Sequence, residues 1–117
     1  MLLKDAIFSA KDLPVEKLTI PAWGGDVFLR VITSEEKDAW ERSWFVGEGE
    51  ERREDMHNLS ARFAVLVLCD ESGKRIFTDS EAGALGQKSG AALSKIWEAG
   101  RKLNKMGKDA AEKEIKN

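Results

Sequence analysis

The sequence predicts a small α+β domain, helix-dominated, with a β-hairpin near its N-terminus. Three observations carry this. Two short runs rich in β-branched and aromatic residues, Val15–Ile20 and Val27–Ile32, flank the turn signal Pro21-Ala22-Trp23-Gly24-Gly25-Asp26. A helix-start signature follows at Thr33-Ser34-Glu35-Glu36. A second apolar stripe at helical spacing, Leu93, Ile96, Trp97, Gly100 and Leu103, closes the pattern.

Before the hairpin, residues 2–10 read as a short helix with Leu3, Ile7 and Ala6 on one face, ended by Pro14. Thr33 and Glu36 have capping-box spacing, in which each side chain satisfies a backbone N–H at the helix start. The helix they open carries Ala39, Trp40, Trp44 (or Ser43) and Val46, with Gly47 as its stop. Residues 47–57 have Met56 as their one large apolar side chain and predict a mobile loop, partly helical in its second half. Asn58 reads as the cap of a helix through Leu59, Phe63, Leu66 and Val67. The run FAVLVLC within it is equally readable as a buried strand, because periodicity does not decide for a continuous apolar run. Asp70-Glu71-Ser72-Gly73 is a turn and residues 74–77 a short extended piece. Thr78 or Asp79 caps a brief helical turn ending at Gly86, and Ser89 starts the last helix. Residues 1–107 thus form one domain, and 108–117 a polar tail with little to bury.

The 117 residues suffice for one core. With 19 basic and 21 acidic residues interspersed, the net charge is −2, without the basic excess of a dedicated nucleic-acid binder. The single cysteine, Cys69, allows no internal disulfide framework and reads as a buried small hydrophobe. The opening residues lack the apolar length and cleavage site of a signal peptide, and no window is long and apolar enough to span a bilayer. An intracellular protein with no membrane partner is therefore expected.

Candidate chemistry fails on its own requirements. In GALGQKSG (residues 83–90) a phosphate loop needs Gly before Lys-Ser, where Gln87 stands, and its first glycine falls at Ala82. In DESGKRIFTDSE (residues 70–81) a calcium loop needs Gly where Arg75 stands and an oxygen ligand where Lys74 stands. His57 has Asp55 nearby but no activated nucleophile, and one His with one Cys does not complete a zinc site. No catalytic, cofactor or metal residues are assigned, and a non-catalytic protein is expected. The partner-binding candidates are Trp23, in the hairpin turn, and Met56 and Met106, whose side chains adapt to varied surfaces. Trp23 reads equally as folding back over the hairpin, and Trp40, Trp44 and Trp97 read as core.

The order of motifs resembles the tail assembly chaperones of long-tailed bacteriophages. It runs from the Pro21-x-Trp23-Gly24-Gly25 turn through Leu59-x-Ala61-Arg62 and the apolar run. Then come Asp70-Glu71-x-Gly73-Lys74-Arg75-x-Phe77-Thr78-Asp79 and Leu85-Gly86-x-Lys88-Ser89, and finally Arg101-x-Leu103-Asn104. Each motif is short, and their order and spacing over nearly the whole chain carry the likeness. The resemblance implies a siphovirus or prophage protein working in the host cell cytoplasm. It would bind the tape-measure protein transiently, keep it soluble and help recruit tail tube subunits. It also implies a longer form made by translational frameshift, with the slip expected near Lys116-Asn117, and a homo-oligomer. The alternatives are a structural minor tail or tail-completion protein retained in the virion, and a small DNA-binding regulator.

Overall fold

The computed structural model describes residues 1–106 of the chain. The tail at 108–117, the domain boundary at 107 and the expected frameshift position lie outside the described residues. Helix α1 (Lys4–Ser9) leads into strands β1 (Val15–Ile20) and β2 (Gly25–Arg30), which pair antiparallel from Val15 opposite Arg30 to Ile20 opposite Gly25. The connection is a 3-10 turn, Pro21–Trp23, closed by Gly24 at φ +74°, a backbone conformation suited to glycine. The hairpin forms as expected, with its second strand two residues earlier than the apolar run implied.

Helix α2 (Ser34–Arg42) opens with both bonds of the Thr33–Glu36 capping box. It stops at Arg42, short of the expected Gly47, and Val46 belongs instead to strand β3 (Phe45–Val46). β3 pairs antiparallel with β4 (Arg53–Glu54), so part of the expected loop at 47–57 is a miniature hairpin around a 3-10 turn at Gly49–Glu51. Its charged residues conceal it in the sequence, yet Gly47 and Gly49 supply positive φ, and the Arg52 guanidinium lies 4.3 Å over the Phe45 ring.

The apolar run resolves into both of its readings. Helix α3 spans Leu59–Val67, and the next two residues form β5 (Leu68–Cys69), which extends the sheet to the order β1-β2-β5. Asn58 does not cap α3. Its backbone is left-handed, at φ +54°, and its side chain donates instead to the carbonyl of Ala82 at 2.9 Å. The short α4 (Ala82–Leu85) follows a second capping box, between Thr78 and Glu81. α5 (Gly90–Leu103) starts at Ser89, whose hydroxyl accepts from the N–H of Ala92.

α3 is the central element. Ala61 and every residue from Phe63 to Val67 are buried. Gly100 of α5 crosses it so closely that a Cβ there would lie 2.7 Å from the Phe63 ring. Ile20, Leu29, Leu68 and Ile96 complete the interior, and Cys69 is buried as expected, with its thiol pKa pushed up by burial. α1 contributes nothing to this core, because none of its residues is buried.

Candidate functional site

Three tryptophans and a phenylalanine form one aromatic cluster where α2, α3 and α5 meet. Trp40 lies 5.3 Å from Phe63, 6.0 Å from Trp44 and 6.3 Å from Trp97, and Phe63 lies 5.3 Å from Trp97. These edge and tilted geometries suit ring quadrupoles. Trp40 and Phe63 are buried, whereas Trp44 and Trp97 are half-buried. The exposed sides of the cluster line an open cleft of about 370 Å³, walled also by Met56, Leu59 and Met106. Lys37, Glu41, Arg101 and Lys105 stand around it. Arg101 lies 4.9 Å over the Trp97 ring, and Lys37 pairs with Glu41 at 2.7 Å. The Trp44 Nε1 is buried and has no acceptor among the described residues.

Two clasps hold the walls. Arg62 reaches from α3 to the carbonyls of Asp55 (2.8 Å), His57 (3.0 Å) and Ser43 (2.6 Å), which pins the Met56 segment and the end of α2 to one side chain. His57 is exposed on that segment, and only its backbone is engaged in these contacts. At the other end of the cleft, the Asn104 amide accepts from the N–H of Ile32 (2.8 Å) and donates to the carbonyls of Arg30 (3.2 Å) and Gly100 (2.9 Å). The C-terminus of α5 is thereby tied to the end of β2.

Of the three residues singled out in the sequence, Met56 and Met106 meet in this cleft, one exposed and one half-buried. Trp23 stands apart from it, half-buried against the core beside the hairpin. Sequence reasoning had placed Trp44 and Trp97 in the core. The missed signal was abundance: of the four tryptophans only Trp40 is buried, and the other three keep part of their surface exposed. The surface chemistry is that of apolar contact with a charged margin, and no group of residues that could hold a metal occurs among the described residues. No helix among them is long and apolar enough to cross a membrane.

This fold, a three-stranded sheet under a helical layer, is similar to that of the bacteriophage HK97 tail assembly chaperone. The TM-score is 0.58 over 85% of this chain and 90% of that one, at 19% identity. The chain belongs to the phage tail assembly chaperone family, whose model matches residues 3–116. No curated protein matches it.

Proposed function

We propose that this chaperone binds the tape-measure protein by taking one of its amphipathic helices into the cleft between α2 and α5. The observation that carries the reading is the open aromatic surface of Trp44 and Trp97 flanked by Met56 and Met106. Helix-in-groove recognition uses an apolar floor, adaptable side chains and a polar margin, and the lining of this cleft supplies residues of each kind. Aromatic anchors of this kind supply much of the energy of a protein interface. Binding in the host cell cytoplasm would keep the tape measure soluble until tail tube subunits replace the chaperone. A frameshifted longer form, with the slip near Lys116-Asn117, would share the same domain. Its existence requires an A-rich slippery run in the coding DNA at that point.

The test is co-expression with the tape-measure protein of the same genome. The tape measure should become soluble and co-purify, and Met56→Asp should weaken capture about tenfold, the equivalent of about 1.4 kcal/mol. Met56 is exposed, so the substitution leaves the core intact. A tape measure that stays insoluble with both the short and the longer form refutes the proposal.

A further inference from the structure

Helix α5 ends by turning its chain into the cleft. The N–H of Met106 donates to the carbonyl of Arg101 at 2.8 Å, and that of Lys105 to the carbonyl of Lys102 at 3.1 Å. Lys105 is left-handed, at φ +54°. This is the Schellman ending, in which a left-handed residue, usually glycine, closes the last turn of a helix. Met106 consequently packs half-buried against the core and forms part of the cleft wall. The chain beyond it therefore starts at the cleft itself.

We propose that residues 107–117 fold back into the aromatic cleft of their own chain and close it until a client segment displaces them. Their sequence, GKDAAEKEIKN, sets Ala110, Ala111 and Ile115 among the carboxylates Asp109, Glu112 and Glu114. The cleft offers a matching surface in the rings of Trp44 and Trp97, ringed by Lys37, Arg101 and Lys105 against the single carboxylate of Glu41. Glu41 is taken by Lys37. Arg101 and Lys105 have no carboxylate within salt-bridge reach among the described residues. Lys108, Lys113 and Lys116 balance the segment's own charge, so the attraction is local pairing and not net charge. Tethering supplies the rest. Ile115, the segment's one large apolar side chain, has up to about 30 Å of chain beyond Met106, ample for a cleft of about 370 Å³. A segment joined this closely meets the cleft at an effective concentration on the order of millimolar, so even a weak contact keeps it occupied.

Displacement by a client rests on the preceding reading of the cleft, whereas occupancy by the segment does not. The indole N–H signals of the four tryptophans, in a nitrogen–proton correlation spectrum, report both. Removing residues 109–117, or Ile115→Asp in the full chain, should shift the Trp44 and Trp97 signals and leave that of Trp23 in place. Both variants keep Met106 and its hydrogen bond. The shifts should be the same at every protein concentration. Removal should also tighten tape-measure capture about fivefold, as when the closed form holds about four-fifths of the molecules. Trp44 and Trp97 signals unmoved in both variants, or shifts that vary with concentration, would overturn the proposal. Shifted signals with unchanged capture would overturn it too. No capture by any variant, with the shifts present, would refute the preceding reading and leave the closed cleft standing.

Discussion

The Arg30 guanidinium reaches 36 residues along the chain to the carbonyl of Leu66 while gripping Glu36 through both of its terminal nitrogens, at 2.9 and 2.5 Å. That bond to Arg30 is the main force holding the Glu36 pKa down, from an ordinary 4.5 to about 2, with the Thr33 N–H adding to it. Burial acts in the opposite direction and is outweighed. A carboxylate depressed in the folded state contributes stability that is complete above about pH 4.5 and is lost as pH falls through about 2. Glu36→Gln should therefore flatten the pH dependence of stability between pH 4.5 and 2, measured by urea unfolding at several pH values in that window. Arg75 plays a parallel part, donating to the carbonyl of Val65 and to Asp79. Together the two arginines satisfy carbonyls at the C-terminal end of α3, where helix bonding runs out. Neither role was legible in the sequence, because a charged side chain gives no local sign of a carbonyl it will meet only after folding.

Elements whose chemistry is local were the ones read correctly. Both strands of the hairpin, the Thr33 capping box and the Ser89 cap need only neighbours within a few residues, and each formed. Asn58 shows the limit, since its own backbone angle decided against capping and turned its amide toward α4. Two-residue strands such as β3 and β4 are too short for any period to be seen. At this scale the close approach of α5 to α3 makes the sharpest prediction. Gly100→Ala places a methyl group against Phe63, and overpacking should cost about 1–3 kcal/mol in chemical denaturation. Asn104→Ala breaks the clasp between α5 and β2. Leaving the Ile32 N–H and Arg30 carbonyl without these partners should cost about 1–3 kcal/mol and loosen the cleft. Asn104 was part of the motif that carried the family resemblance, and the clasp gives that position a physical purpose.

At the scale of the whole molecule, the fold class and the family were legible while the cleft was not. A cleft is a relation among α2, α3 and α5, and single-element patterns record only that each has an apolar side. Helix α1 makes a molecular prediction of its own. Since it buries nothing within its chain, deleting residues 1–12 should leave the unfolding midpoint of the monomer unchanged. The junction of α3 and β5 has a separate consequence. Val67 ends the helix and Leu68 begins the strand with no residue between them, so the helical layer and the sheet share one continuous stretch of backbone. Because α3 also packs on α5 and β5 pairs with β2, the two layers are expected to open together. Amide protons in β2, α3 and α5 should exchange with deuterium in a single slow class, whereas those of α1 should exchange freely in the monomer.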